Sequence, residues 1–393
     1  MSTYDVVIAI PRTGRTFENF MNQLIKLGIE VDKIKLIVEA VRNGKKNKSY
    51  SPKLAQEYVS KFKEVSDNLS VFVDRKREDR PYRVGFIGLD IKLDGLAVRL
   101  EGDEPHNCSS LISLGEADIA LAGFDELLVV THSSISKEEE SIRINKWGMY
   151  NYNIPNHNKV KIAGSAMLTR WNDYAKKEIQ DIVGFFLISK KKPKENGKFY
   201  YPKDYLEHLE RHGNKVYVKG RYADIIRSTY PFLNIEPVHD VEDAVEYSDG
   251  GIGIEIVQTG STLRRKNLVV LGAPLFLSES LFVVDYYRFI ESKNNALDKV
   301  LNILNPKDYY STERIEQFKF WYSALEGNLK DHWINKPDIN ELFCSKQDIE
   351  NGLRPIRLQT RYWKPSDTYK RDEAEMLIKK SRERLYVLYN SSK

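Results

Sequence analysis

SDGGIGIEIVQTGSTLR, residues 248–264, contains a short apolar run over 252–257 that ends in a polar loop. Runs of this length that are rich in Ile and Val are typical of a buried strand. The loop over 258–262 brings small residues, hydroxyl groups and backbone N–H donors to one point, which suits a phosphate group. Glu255, four residues before Thr259, is placed to direct a carboxylate at sugar hydroxyls beside that phosphate. The alternative is a strand that ends in an ordinary polar turn.

Composition indicates a globular protein with more than one core. The chain has 393 residues, 41% of them hydrophobic and 30% charged, which predicts two or three domains. Its 2 cysteines exclude a disulfide framework and fit a reducing compartment. We find no long apolar run and no signal-peptide pattern at the N-terminus, so we expect a cytoplasmic protein without a membrane span. The net charge of +5 is too small to indicate nucleic-acid binding and suits a small anionic substrate.

The order of apolar patterns predicts an α/β protein. Residues 4–10 have the pattern of a buried strand, and apolar positions at helical spacing follow from Phe17 to Gly28. Similar strand–loop–helix patterns recur up to residue 284, which favours mostly parallel sheets. We place Leu268–Leu271 and Leu281–Val284 in the same sheet system, with Gly272 opening the turn between them. Residues 285–393 predict a mainly helical region, with helices at 296–304, 315–325 and 374–389.

Several charged side chains follow predicted strands, where open α/β sheets bind their ligands. Arg12 and Arg15 lie in the first loop and can offer forked donors to phosphate oxygens. Asp125 follows the predicted strand 118–121 and could contact a substrate ring or ribose. Arg221 follows another strand and is a candidate substrate-binding residue. The alternatives are that the arginines are solvated and that Asp125 caps a helix.

Two further patterns favour ordinary surface roles. His208 and His212 stand four residues apart on a predicted helix, but no third metal ligand accompanies them at motif spacing. The lysine-rich stretch at 190–194 indicates a solvated connection rather than an anion site. The aromatic and basic residues near 362–371 are compatible with a nucleotide or partner surface, although a packed helical appendage is the commoner outcome.

Three stretches in this order resemble the ATP phosphoribosyltransferases of histidine biosynthesis. IAIPRTGR, residues 8–15, resembles the opening strand and basic loop of that family, and GEADIALAGFDEL, residues 115–127, resembles its second segment. DVEDAVEYSDGGIGIEIVQTGSTLRRKNL, residues 240–268, resembles the S-V-E-x-A and D-I-V-x-T-G-x-T-L-R motifs, with matching spacing. The third stretch is the most specific of the three.

The resemblance implies a catalytic unit of two α/β lobes, like the type-2 periplasmic binding proteins. We expect lobe I in residues 1–131 plus about 272–290, and lobe II, with the phosphate loop, in 132–271. Residues 291–393 are expected to form an additional, mainly helical C-terminal region of unknown role. The family also implies a homo-oligomer.

The activity that the resemblance implies is transfer of a phosphoribosyl group from phosphoribosyl pyrophosphate to N1 of ATP, with Mg²⁺ accompanying the pyrophosphate. Glu242 and Glu255 would reach the ribose side, and Glu242 is the nearest candidate for a general base. Arg12 and Arg15 would meet phosphates, while Asp125 would line the cleft. The 5′-phosphate would be held by four residues in succession: Thr259, Gly260, Ser261 and Thr262.

The sequence also departs from the family at places that concern the acceptor. Asp249-Gly250-Gly251 stands where the family has Leu-Ala-Asp, and Lys266-Asn267-Leu268 stands where it has Asn-Gly-Leu. Two alternatives therefore stay open. One is a phosphoribosyltransferase of the same family with another acceptor in a specialised pathway. The other is a two-lobed protein that binds a nucleotide or phosphosugar without turning it over.

Overall fold

The computed structural model describes residues 4–44, 51–73, 81–127, 129, 160–191, 205–285, 296–307 and 311–342. The chain divides into two compact units. The first comprises Met1–Glu126, Tyr152–Thr169 and Ser280–Asp308, and the second comprises Leu127–Asn151, Arg170–Glu279 and Tyr309–Lys393. The helix predicted at 374–389, the aromatic and basic stretch at 362–371 and most of the lysine-rich stretch, from 192 onward, lie outside the described residues.

The first unit is built on a six-stranded sheet with the strand order β4-β5-β1-β6-β15-β7. Its strands are β1 (Val6–Pro11), β4 (Gly88–Leu93), β5 (Leu96–Asp103), β6 (Ile119–Gly123), β7 (Val160–Ser165) and β15 (Ser280–Asp285). A separate two-stranded ribbon pairs β2 (Leu69–Val73) with β3 (Tyr82–Phe86). The helices are α1 (Arg15–Lys26), α2 (Val31–Gly44), α3 (Pro52–Ser60), α4 (Cys108–Leu114) and α9 (Ala296–Leu304).

The apolar spacing in the first predicted helix has the expected effect. Phe17, Phe20, Met21 and Leu24 fall on one side of α1 and are fully buried against the sheet. Residues three and four apart share a helix face, so this spacing gives α1 one continuous apolar stripe. The helix follows directly on β1, which places the loop containing Arg12 at the carboxyl end of that strand.

The second unit is also built on a six-stranded sheet, with the order β12-β11-β13-β10-β14-β16. Its strands are β10 (Val183–Lys190), β11 (Lys215–Lys219), β12 (Asn234–Val238), β13 (Ile252–Val257), β14 (Leu268–Ser278) and β16 (Trp333–Ile334). A ribbon of β8 (Thr169–Asn172) and β9 (Lys177–Gln180) accompanies it. The helices are α5 (Tyr205–His212), α6 (Ala223–Thr229), α7 (Val241–Tyr247), α8 (Ser261–Arg265) and α10 (Thr312–Asn328).

Helices cover both faces of this second sheet. One apolar cluster joins β13 and β14 to α7, α8 and α10, and a second cluster joins β11 and β13 to α5 and α6. The packing of α7 explains why β13 carries a glycine, Gly253, inside an apolar run. A Cβ at this position would lie 2.8 Å from Cγ2 of Val245 on α7, closer than real contacts allow. The glycine therefore permits the close approach of α7 to the strand.

The two sheets share one arrangement of five strands, β5-β1-β6-β15-β7 in the first and β12-β11-β13-β10-β14 in the second. This arrangement confirms the expected two-unit, type-2 periplasmic-binding-protein-like fold. In the first sheet β5, β1 and β6 are parallel, and β15 then runs antiparallel to β6 and β7. In the second sheet β12, β11 and β13 are parallel, and β10 then runs antiparallel to β13 and β14. Each sheet thus contains three parallel strands followed by one inserted antiparallel strand.

One expectation about the sheets was right and one was wrong. Most strands of each sheet run in one direction, and the exceptions are β4 and β15 in the first sheet and β10 in the second. Leu268–Leu271 and Leu281–Val284 belong to different sheets, since β14 pairs in the second and β15 in the first. Gly272 does not open a turn between them. It lies within the continuous strand β14, where its φ of +67° accompanies a shift of register against β10.

The helices beyond residue 291 are divided between the two cores. Leu297, Val300 and Leu301 of α9 are buried in the core of the first unit. Phe318 and Trp321 of α10 are buried in the core of the second unit. The described residues after 291 are thus mainly helical, as expected, and they contribute to packing in both units. No helix in the described ranges is long and apolar enough to cross a membrane.

Candidate functional site

Three parallel strands of the second unit end on the same side of its sheet. β11 lies between β12 and β13 and is parallel to both. The chain leaves β11 through Lys219 and Arg221, leaves β12 toward Asp240, and leaves β13 through the loop 258–262. The carboxyl ends of parallel strands are where α/β sheets bind ligands. We call this group the strand-end site: Lys219, Arg221, Asp240, Glu242, Glu255 and residues 258–262.

The loop 258–262 is a tight turn that leads into α8. Gly260 adopts a left-handed φ of +71°, which side chains other than glycine rarely tolerate. The hydroxyl oxygens of Thr259 and Ser261 lie 3.0 Å apart. Thr259 and Thr262 are partly exposed, and Ser261 is exposed. Small side chains, paired hydroxyls and a glycine turn are the features that let backbone donors approach an anion.

Gln258 begins the loop with a buried side chain. It is only 8% exposed, and its Nε2 and Oε1 atoms are buried without a hydrogen-bond partner in the part of the chain that the structure describes. Buried polar atoms usually have partners, because leaving them unpaired costs free energy. This amide therefore leaves one donor group and one acceptor available next to the loop.

Glu255 lies near the end of β13, and its Oε1 accepts a hydrogen bond from the backbone N–H of Ile256 at 2.8 Å. Burial raises the pKa of this carboxyl to about 7, and the charges of Glu242 and Asp240 add to the increase, while Lys219 opposes it. At neutral pH the carboxyl is therefore divided between its protonated and ionised forms. In the first form it can donate a hydrogen bond to a hydroxyl group, and in the second it can accept one.

Glu242 lies in the first turn of α7, whose N-terminus is capped by Asp240. The Asp240 carboxylate accepts a hydrogen bond from the N–H of Asp243 at 2.8 Å. Burial raises the pKa of Glu242, and the neighbouring charge of Asp240 raises it further. The strand-end site therefore holds two carboxyl groups with raised pKa values, those of Glu242 and Glu255. Such perturbed groups are frequent at functional sites, although structural clusters show them as well.

Lys266, one of the departures from the family motif, connects two helices. Its ammonium group bonds to the Asp243 carboxylate and lies 3.2 Å from that of Glu246, both on α7. Burial opposes the charged form of the lysine, but the hydrogen bonds from the two carboxylates outweigh it and raise its pKa to about 12. Asn267 then turns the chain with a positive φ of 52°. This departure therefore ties the end of α8 to α7.

Arg221 lies on the exposed side of the strand-end site. It follows β11 in a short 3-10 turn, Gly220–Tyr222. Its guanidinium group lies 4.5 Å from the centre of the Tyr222 ring. Stacking on an aromatic ring restricts the orientation of an arginine side chain. The position is compatible with the predicted contact to a substrate.

The predicted residues Arg12, Arg15 and Asp125 belong to the first unit, whereas the strand-end site is confined to the second. Arg12 bonds to the Asp103 carboxylate and its guanidinium lies 4.1 Å from the centre of the Phe72 ring. A phosphate at Arg12 would therefore compete with a carboxylate. Arg15 is exposed at the start of α1, and Asp125 is buried directly after β6.

Sequence reasoning missed two side chains that hold the loop. The indole Nε1 of Trp321 donates to the carbonyl oxygen of Gln258 at 3.2 Å, and Nδ2 of Asn328 donates to the carbonyl oxygen of Thr259. Both donors come from α10, more than 60 residues further along the chain. No local pattern indicates a contact of this kind. Lys219 and Asp240 were also missed, although their places directly after strand ends could have identified them.

The two histidines that the sequence places four residues apart lie on α5. Within the residues that the structure describes, no group of three or more His, Cys, Asp or Glu side chains could hold a metal ion. His208 and His212 stack with their ring centres 4.1 Å apart, and His212 Nδ1 lies 2.8 Å from the carbonyl oxygen of His208. The second histidine is thus engaged within its own helix.

No family model matches the sequence, and no curated protein matches it either. Among solved structures, an ATP phosphoribosyl transferase (HisG:HisZ) complex from Thermotoga maritima is similar at 15% identity and a TM-score of 0.36, covering 82% of this chain and 98% of that one. An ABC transporter from Parabacteroides distasonis is similar at 11% identity and a TM-score of 0.34, covering 96% and 92%. The arginine-bound form of ArgBP from T. maritima is similar at 12% identity and a TM-score of 0.28, covering 53% and 77%. Likenesses this weak support no inference about activity.

Proposed function

We propose that the chain is a phosphoribosyltransferase. It moves the 5-phosphoribosyl group from phosphoribosyl pyrophosphate to N1 of ATP or a related purine nucleotide, with release of pyrophosphate. The observation that carries this proposal is the strand-end site, where the loop 258–262 and the carboxyl groups of Glu242 and Glu255 lie at the carboxyl ends of parallel strands of one sheet. A ribose 5-phosphate needs this pairing, because its phosphate requires N–H and O–H donors while its ring hydroxyls suit carboxylates.

In this proposal the loop holds the 5′-phosphate and so fixes the ribose for in-line attack. The lone pair on the acceptor nitrogen forms the new bond to C1′ as the bond from C1′ to the pyrophosphate oxygen breaks, and the electrons of that bond leave with pyrophosphate. Glu255 and Glu242 bind the ribose hydroxyls, and Glu242 is the candidate base for the proton that the acceptor loses. Arg221 is proposed to contact the substrate from the same unit.

The resemblance also implies roles for residues of the first unit, and these roles are part of the proposal. Arg12 and Arg15 are proposed to meet phosphate groups of the leaving group or nucleotide, where positive charge stabilises the negative charge that develops. Asp125 is proposed to contact the substrate ring or ribose. As the resemblance implies, Mg²⁺ is proposed to arrive with the pyrophosphate of the donor, as part of the substrate.

A same-family enzyme with another acceptor is the second candidate. The observation that favours it is the altered segment after the loop, where Lys266 is engaged by Asp243 and Glu246 of α7. We propose that this altered segment concerns the acceptor rather than the donor. The donor would be the same in both candidates.

The direct test combines the pure protein with phosphoribosyl pyrophosphate, Mg²⁺ and one candidate base or nucleotide at a time, and measures pyrophosphate. Release that depends on one acceptor supports the enzyme and identifies the acceptor. Binding of phosphoribosyl pyrophosphate without turnover for any acceptor would instead show a binding protein. No binding at all would refute both.

The loop assignment has its own test in Thr259→Val and Thr262→Val. Each change removes a hydroxyl and keeps the shape of the side chain. Loss of one hydrogen bond should weaken binding of phosphoribosyl pyrophosphate by about threefold to tenfold. Thr312→Val, at an exposed position that begins α10, is the control and should leave binding unchanged. Unaltered affinity in both loop variants would contradict the assignment.

A further inference from the structure

The carbonyl groups at the start of the loop 258–262 are held by one helix. Trp321 Nε1 of α10 donates to the carbonyl oxygen of Gln258 at 3.2 Å. About two helical turns further on, Asn328 Nδ2 donates to the carbonyl oxygen of Thr259. The two anchored carbonyls belong to consecutive peptide units of the loop.

The anchoring also decides where the N–H groups of the loop point. A peptide unit is planar and trans, so its N–H points opposite to its C=O, and the described chain contains no cis peptide bond. Because the carbonyl of Gln258 points to Trp321, the N–H of Thr259 points away from α10. Because the carbonyl of Thr259 points to Asn328, the N–H of Gly260 also points away from that helix.

Leu329, directly after α10, also packs against the loop 258–262. A Cβ on Gly260 would collide with several side-chain atoms of this leucine, which is fully buried. The collision explains the glycine on steric grounds, in addition to its positive φ of 71°. Trp321, Asn328 and Leu329 therefore pack against the side of the loop opposite to the N–H groups of Thr259 and Gly260.

We propose that Trp321 and Asn328 are positioning residues, which turn the N–H groups of Thr259 and Gly260 toward the bound phosphate. This inference rests on the proposed function, because it concerns the same phosphate site. It adds that the donor geometry is set from α10, a helix distant in sequence from the motif. Successive N–H groups held in one direction form a concave site that binds anions.

The test uses Asn328→Leu, which keeps the size of the side chain and removes the donor, and Trp321→Phe, which keeps a buried ring and removes Nε1–H. Ser323→Ala, at an exposed position on the same helix, is the control. Binding of inorganic phosphate and of phosphoribosyl pyrophosphate is measured by calorimetry, and thermal unfolding is measured for every variant. We expect Asn328→Leu and Trp321→Phe each to weaken binding of both anions by about threefold to tenfold, and Ser323→Ala to change nothing.

A second readout separates positioning from mere loss of stability. In amide NMR spectra of the wild-type protein, the N–H signals of Thr259 and Gly260 should move on addition of inorganic phosphate. In Asn328→Leu the shift of Gly260 should be lost or strongly reduced, while a variant that is destabilised but correctly oriented would keep it. Asn328→Asp should behave like Asn328→Leu, because a carboxylate cannot donate a hydrogen bond to a carbonyl oxygen.

The outcomes distinguish this inference from the proposed function. If the wild type binds phosphoribosyl pyrophosphate and the two variants bind it equally well, the positioning role is overturned and the proposed function stands. If the wild type binds inorganic phosphate but not phosphoribosyl pyrophosphate, the proposed function fails, and the response of the variants to inorganic phosphate still decides the positioning role. If the wild type binds neither anion, both are refuted.

Discussion

The carboxyl group of Glu255 should make the second unit less stable as the pH rises. Its pKa is raised to about 7 from an ordinary value of 4.5, chiefly by burial. At a pH below the ordinary value the group is protonated in the folded and unfolded chains alike, so it does not change the free energy of unfolding. Between the two values the unfolded chain loses the proton and the folded chain keeps it, so the free energy of unfolding falls with increasing pH.

The size of this effect follows from the two pKa values. A tenfold difference in proton affinity corresponds to about 1.4 kcal/mol, so a carboxyl with a pKa near 7 instead of 4.5 destabilises the ionised folded state by roughly 3 kcal/mol. Glu255→Gln removes the charge and keeps the carbonyl oxygen that accepts from Ile256. We expect this variant to be about as stable as the wild type at acid pH and more stable by roughly 3 kcal/mol above neutrality.

Equilibrium unfolding in urea at a series of pH values measures the difference. Tryptophan fluorescence is a suitable signal, because Trp321 and Trp333 lie in the core of the second unit. Glu316→Gln, at an exposed position on α10, controls for loss of a carboxylate as such and should leave the pH dependence unchanged. The reasoning fails if the advantage of Glu255→Gln is the same near pH 5 as near pH 8, since a pH-independent gain cannot arise from this ionisation.

Two further substitutions test the packing of the second unit. Gly253→Ala should lower the free energy of unfolding by about 1–3 kcal/mol, because the added methyl group collides with α7. Gly220→Ala is the control, since its methyl group meets open space, and it should change the free energy of unfolding by less than about 0.5 kcal/mol. Equal effects of the two substitutions would refute the close contact. Arg314→Met should lower it by about 3–5 kcal/mol, because Arg314 Nε donates to the buried carboxylate of Glu279 at 2.7 Å and the change removes a cationic partner from a buried charge. Lys319→Met, at an exposed position on the same helix, is the control in chemical denaturation, and a loss no larger than in this control would contradict the buried ion pair.

The local elements of the chain could be predicted from the sequence because their causes are local. The apolar stripe of α1 and the strand at 252–257 both appear where the periodicity placed them. The helix Tyr205–His212 ends before Gly213, whose positive φ of 62° is the conformation that a glycine after a helix adopts. Each of these features depends on residues within a few positions of one another.

The pairing of the strands could not be read from the chain in the same way. β14 and β15 are separated by one residue, yet they belong to different units, because the chain crosses from one unit to the other after Glu279. The sequence pattern of a short buried strand is the same in either sheet. The inserted antiparallel strands β10 and β15 likewise have no local signature, so the sequence could not place them.

The same division holds at the strand-end site. By itself the sequence determined the strand 252–257, the glycine turn after it and the presence of hydroxyl and carboxyl groups nearby, because these belong to one continuous stretch. Only the tertiary structure decided the rest. Burial in the folded chain raises the pKa of Glu255, and side chains of α10, more than 60 residues away, hold the carbonyl groups of the loop. Burial and long-range hydrogen bonds depend on which segments contact one another in space. These contacts are a property of the folded chain rather than of any single stretch.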